Sequence, residues 1–198
     1  ELNDLVDYAD ARGVTLIPEI DLPGHSSRLK QSGYLNPGAT DNDVASPANY
    51  EKIQDLIDAA LTVFDTSPYF HIGGDESGAS EAHLVSFLAA TNEHLRGTPP
   101  GGPRRMLVWE GFRQSAVSEL PTTGDDRVIV LAWEGAYRAP WLLLQDGYQI
   151  VNASWKPMYV VGGGTRFHPG ATSGKKWAPG DIHTWNKNTF MHWERGNA

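Results

Sequence analysis

The chain predicts an α/β fold on a parallel sheet, and within that class an incomplete (β/α)8 barrel with about five of its eight strands present. Three observations carry this. Apolar, β-branched runs alternate with segments of helical period as far as residue 154. The runs are nearly continuously apolar, as strands covered on both faces are. Polar or aromatic residues close them at their C-terminal ends: Asp21, Asp75 with Glu76, Trp109 with Glu110, Trp133 with Glu134, and Asn152. In a barrel those ends converge on one mouth, whereas in an open doubly wound sheet they spread along a line with a switch-point crevice. No glycine-rich phosphate fingerprint follows any strand, and the repeated "VWEG" and "AWEG" read as equivalent strand ends.

The elements follow in order. Leu2, Leu5, Val6 and Ala9 recur at helical spacing and Gly13 is a natural stop. The chain opens without Met or a basic-then-apolar leader, and reads as an excerpt of a longer chain. "VTLIPEID" (14–21) is a strand, Pro23 and Gly24 open a loop, and a long polar loop runs through "QSGYLNPGATDNDVASP". From about Asn49 to Phe64, Ile53, Leu56, Ile57, Ala60 and Leu61 share a helical face, with Ser46 or Asn49 as caps. "YFHIGG" (69–74) is a strand, and "SEAHLVSFLAATNEHL" (80–95) a helix with Leu84, Phe87, Leu88 and Leu95 inward. "MLVWEGF" (106–112) and "VIVLAWEG" (128–135) are strands, "APWLLLQDG" a short helix, and "YQIVNAS" (148–154) the last clear strand. The tail from about 155 is Gly-, Trp- and Pro-rich, and a helical period returns only in "DIHTWNKNTFMHWE".

Composition narrows function. A net charge of -8 argues against nucleic acid as the main partner, because phosphate binding needs a basic face. No apolar run reaches membrane-spanning length. The absence of cysteine excludes disulfides and thiolate metal sites. Seven tryptophans suit either a packed core or stacking on sugar rings.

The adjacent carboxylates of "HIGGDES" raise the sharpest question. Neighbours in a strand point to opposite faces, so Asp75 and Glu76 serve one pocket only if the chain turns off the strand there. Gly73 and Gly74 leave room for a ligand or another backbone. The bland reading is that Asp75 caps the helix of the eighties. The sharper one is chemistry that needs two carboxylates, such as glycoside hydrolysis.

"HIGGDE" (71–76) closely resembles the His-x-Gly-Gly-Asp-Glu motif of the family 20 glycoside hydrolases, the β-N-acetylhexosaminidases. "IPEIDLPGH" (17–25) resembles the same family's preceding strand and loop, at the right place in chain order. The likeness continues more loosely through Trp109, Trp133 and Tyr159. It implies that residues 1–198 are part of a (β/α)8 catalytic barrel, tail included. It also implies substrate-assisted, retaining removal of terminal N-acetyl-β-D-hexosamine from a glycan, through an oxazolinium intermediate.

By that resemblance Glu76 is the general acid/base and Asp75 holds and polarises the acetamido group. One of the pair must be protonated near neutral pH and the other ionised, and proximity drives their pKa values apart. Asp21 and His25 match positions supporting the acid/base region. Trp109 and Trp133 match aromatic walls of the sugar pocket, and Tyr159 the tyrosine that orients the acetamido oxygen. No metal or cofactor is expected. Where many members have Tyr-x-Asp, this chain has Val161, so recognition of the outer sugar hydroxyls differs or has moved. An arginine and an aspartate of the family's first strands, and a Trp and Glu of its last, have no counterpart here. An open barrel of this kind is expected to expose apolar strand edges. Family members are often secreted or lysosomal.

Other readings are a non-catalytic sugar-binding remnant, a related oligosaccharide-releasing enzyme such as a lacto-N-biosidase, and a metal hydrolase using His71, Asp75 and Glu76. The last has no standard metal-ligand spacing.

Overall fold

The computed structural model describes residues 1–113, 116, 118–133 and 137–154. Four strands, β1 (Tyr69–His71), β2 (Arg105–Trp109), β3 (Ile129–Ala132) and β4 (Gln149–Asn152), form one parallel sheet in the order β1-β2-β3-β4. Each strand lies beside its predecessor. A doubly wound sheet reverses direction at a switch point; a barrel does not. The sequential order is that of a barrel segment, and among the described residues the sheet is unclosed.

The segment expected as the first strand joins this sheet by a single parallel bridge, Glu19 to His71. Its amides and carbonyls begin a ladder, with His71 N–H donating to Pro18 O and Ile20 N–H to His71 O. The ladder then slips, since Leu22 N–H reaches Ile72 O, one residue short of the next regular partner. Two features account for this. Pro18 has no amide to donate, and Gly73 turns β1 away with φ +79°. For the same reason residues 72–74, expected in the strand, lie beyond its end.

Helices pack on one side of the sheet. They are α1 (Leu2–Asp10), α2 (Ser27–Gln31), α3 (Asp41–Val44), α4 (Tyr50–Val63), α5 (Glu81–Arg96) and α6 (Pro140–Gln145), with a 3-10 turn at Pro47–Asn49 before α4. Ile53, Ile57 and Leu61 of α4 and Leu84, Leu88 and Leu95 of α5 are buried with Phe70, Ile72, Met106, Val108, Val130 and Ala132 in one cluster. All those sheet residues are even-numbered, and a strand alternates its faces with period two. The odd-numbered residues therefore line the opposite, barrel-interior face. Register aligns Glu19, His71, Leu107, Ile129 and Gln149 in one row across it.

The polar loop after Gly24 contains α2, α3 and the 3-10 turn, elements too short to display a period. Thr40 and Asp43 close α3 with a reciprocal capping box. Helix α1 turns Val6 and Ala9 inward and leaves Leu2, Leu5 and Tyr8 exposed. Ile17 at one end of the sheet and Val151 at the other are also exposed, at 42% and 45%. These are the apolar edges expected of an open barrel. The structure contains no helix long and apolar enough to cross a membrane among the described residues.

Candidate active site

The carboxylate pair sits where β1 gives way to a loop held against its neighbours by glycines. A Cβ at Gly73 would overlap Asp21 Oδ1 and Cα, and one at Gly74 would lie 2.8 Å from Val108 Cγ2. From across the loop, a Cβ at Gly24 would come 2.8 Å from Asp75 O, and one at Gly111 would overlap Gly74 O. The space these glycines leave is filled by protein. Their effect is to let the Asp21 loop and the β2 loop close on the backbone that carries Asp75.

The turn expected between the two acids is present. Glu76 has φ +47°, a left-handed conformation unusual for a residue with a side chain. This sends the neighbouring side chains into different surroundings. Glu76 is open to solvent, 58% exposed, with Oε2 3.4 Å from His25 Nε2. Asp75 is half-buried, and its Oδ1 is fully enclosed with no hydrogen-bond partner among the described residues. Burial raises the Asp75 pKa above the ordinary carboxylate value, with repulsion from Glu76 and Glu19 adding to it. The helix-cap reading of Asp75 fails, because α5 is capped by Ser80, whose hydroxyl accepts the His83 N–H.

Asp21 and His25 join this group. Asp21 Oδ1 accepts the Gly74 N–H at 3.3 Å, and Oδ2 lies 3.8 Å from His25 Nε2. Burial first, and the Asp75 charge second, push Asp21 up to about 6. The acids held toward their neutral forms are the enclosed Asp75 and Asp21. Ligand atoms of Asp21, His25 and Asp75 lie within 4.8 Å of one another, the one such grouping of three among the described residues. His71 and Glu76 are not part of it, so the His71–Asp75–Glu76 metal set is not assembled. His71 Nδ1 instead lies 3.0 Å from the Gly73 N–H and 3.2 Å from Glu19 Oε1.

Trp109 and Trp133 are both partly exposed at strand ends. The Trp109 indole N–H donates to Glu19 Oε1 at 2.8 Å, and its ring lies 5.1 Å from that of His71, tilted by 57°. The Trp133 indole N–H donates to Glu110 O at 2.8 Å. Tyr159, Val161 and the tail tryptophans lie outside the described residues.

Sequence reasoning passed over Glu19 and the structural role of Glu110. Glu19 binds both His71 and Trp109, and its pKa is lowered, chiefly by the hydrogen bond with His71. The signal was available, since Glu19 stands two residues before Asp21 and period two puts both on one side of an extended segment. Glu110 was read as part of the mouth. It is fully buried, and its Oε1 accepts the Tyr137 and Arg138 N–H groups at 2.9 and 3.3 Å.

Comparison with known proteins decides the family. The model for the glycosyl hydrolase family 20 catalytic domain matches residues 1–195. The chain belongs to that family. It is 24% identical to a beta-hexosaminidase of Emericella nidulans over 81% of this chain and 32% of that protein. It is 25% identical to a lacto-N-biosidase of Bifidobacterium bifidum over 78% of this chain and 16% of that protein. A beta-hexosaminidase of Vibrio furnissii is 34% identical over a shorter stretch, 38% of this chain and 15% of that protein. This family 20 chain thus spans about a third of the length of the fungal relative, or less of the others.

Proposed function

We propose that this family 20 segment carries the acid/base and acetamide-binding carboxylates of a retaining β-N-acetylhexosaminidase. The observation that carries the reading is the unequal setting of two adjacent acids. Asp75 is enclosed and has an unused acceptor, Oδ1, whereas Glu76 is open and 3.4 Å from an imidazole.

An acetamide N–H supplies what Asp75 Oδ1 lacks, a donor in a water-poor position. That hydrogen bond orients the acetamido carbonyl oxygen toward the anomeric carbon and stabilises the positive charge that develops as it attacks. In the same step the glycosidic C–O bond breaks and Glu76 gives its proton to the departing oxygen. Glu76, now anionic, takes a proton from water, whose oxygen attacks the anomeric carbon on the face the leaving group left. The oxazolinium ring opens, the acetamido group is restored and configuration is retained. The Trp109 ring, fixed by Glu19, offers an aromatic face to the apolar side of the sugar.

Release of nitrophenol from the β-N-acetylglucosaminide and β-N-acetylgalactosaminide by the complete gene product carrying these residues tests the reading, beside Glu76→Gln and Asp75→Asn. The expected result is a loss of about 10²–10⁴ in kcat for Glu76→Gln and about 10²–10³ for Asp75→Asn. Full activity in either variant would sink the assignment. The lacto-N-biosidase relative supports a second reading, in which a disaccharide is released instead. Inactivity on both monosaccharide substrates with release of a disaccharide would favour it.

A further inference from the structure

The segment after Glu76 is fastened to a part of the chain the chemistry above does not use. Asp41 Oδ2 accepts the Gly78 N–H at 2.7 Å, and Asn42 Oδ1 accepts the Ser80 N–H at 2.8 Å. Asp41 is fastened in turn, with Oδ1 3.3 Å from Lys30 Nζ in a pair that is mostly buried. Both residues begin α3, whose capping box fixes their backbone. Val44 and Ala45, just beyond, are buried in the main core. The clamp is therefore anchored to the packed interior and not to a free loop.

Glu76 needs such a clamp. A non-glycine residue in the left-handed region is strained by about 1–3 kcal/mol and persists only where its surroundings over-determine it. On the N-terminal side the Asp21–Gly74 bond and the packing of Gly24 and Gly111 hold the chain. Among the described residues, the two bonds from α3 are the long-range hydrogen bonds to the backbone between Glu76 and the Ser80 cap of α5. The other bond there is local, Ala79 N–H to Ser77 Oγ.

We infer that Asp41 and Asn42 are positioning residues that hold Glu76 where it can deliver its proton. This rests on the reading of Glu76 as the acid/base. Displacement of a general acid slows substrates with basic leaving groups and largely spares those whose leaving group departs without help. A general folding defect slows both equally.

The test uses the complete gene product and two aryl N-acetyl-β-glucosaminides, a dinitrophenyl one with a good leaving group and a methylphenyl one with a poor one. Asp41→Ala is expected to lower kcat/KM, which reports the step in which the leaving group departs, by about tenfold or more on the poor substrate, and by much less on the good one. Asp41→Asn, whose amide oxygen still accepts from Gly78, restores most of the loss. Asn42→Ala, a milder change, shows the same selectivity at smaller size and serves if Asp41→Ala does not fold. Hydrogen exchange of the Gly78 and Ser80 amides accelerates in the variants. Equal losses on both substrates, or none, overturn the inference if Glu76→Gln itself discriminates between them. If Glu76→Gln does not discriminate, the acid/base assignment falls, and the inference with it.

Discussion

The strand ends of β1 and β2 treat a glutamate in opposite ways. After β1 the chain leaves the ladder at Gly73, and Glu76 is left 58% exposed beside His25. After β2 the ladder continues for one more residue, with Glu110 N–H donating to Leu131 O. Glu110 then turns inward to zero exposure and binds the backbone of the β3 loop. Both are acids that follow a strand of one barrel segment. The difference teaches that of these two carboxylates the one open to solvent lies where the chain has left the sheet. The one that stays in the ladder is used to tie neighbouring loops together.

Several experiments can break or sharpen that comparison. The largest effect should come from exchanging roles. Glu76→Gln should cost about 10²–10⁴ in kcat with the denaturant midpoint nearly unmoved. Glu110→Ala should lower unfolding free energy by about 1–3 kcal/mol for each backbone N–H left buried and unpaired, measured in urea. An inactive but fully stable Glu110→Ala would show that the buried acid also acts on substrate.

Next comes pH dependence. Asp21 is raised to about 6 by burial and the Asp75 charge, and Asp75 is raised above the ordinary carboxylate value, chiefly by burial. Protonation of Asp75 removes the anion that stabilises the oxazolinium, so kcat/KM should fall on the acid side at a higher pH than an ordinary carboxylate would set. Asp21→Asn removes a neighbouring negative charge while keeping an acceptor for Gly74 N–H. The acid limb should then move to lower pH, and an unmoved limb would mean another group sets it.

The smallest effect belongs to Glu19. Glu19→Gln keeps an acceptor for the Trp109 indole and loses the charge beside His71. It should raise KM by a few-fold at most, within the roughly 0.5–1.5 kcal/mol net value of one hydrogen bond. Glu19→Leu should raise KM further. Equal effects from the two would show that the charge, and not the fastening of the indole, is what matters.

Much of the fold was legible. The runs expected as strands at 69–74, 106–112, 128–135 and 148–154 each contain one strand of the parallel sheet, shorter than expected. The run at 14–21 misled, because hydropathy does not register the missing amide of Pro18 or the turn at Gly73 that ends the ladder beside it. In the site, Asp75, Glu76, Asp21 and His25 were all found in the sequence, and the structure brings them together. The α3 clamp was not legible. Asp41 and Asn42 lie more than thirty residues from Gly78 and Ser80 in a polar loop without period. A hydrogen bond across that separation leaves no local pattern.

The sequence by itself determined the order of the four sheet strands and the longer helices, the family motif and the candidate acids. These depend on hydropathy period and on residue chemistry, both of which are local. The tertiary structure decided which acid is enclosed and which is open, and that Glu110 is a tie between loops. It also decided what fills the space beside the glycines. Those properties depend on which backbone comes to lie against which. That is fixed only when β1, β2 and the Asp21 loop close on one another.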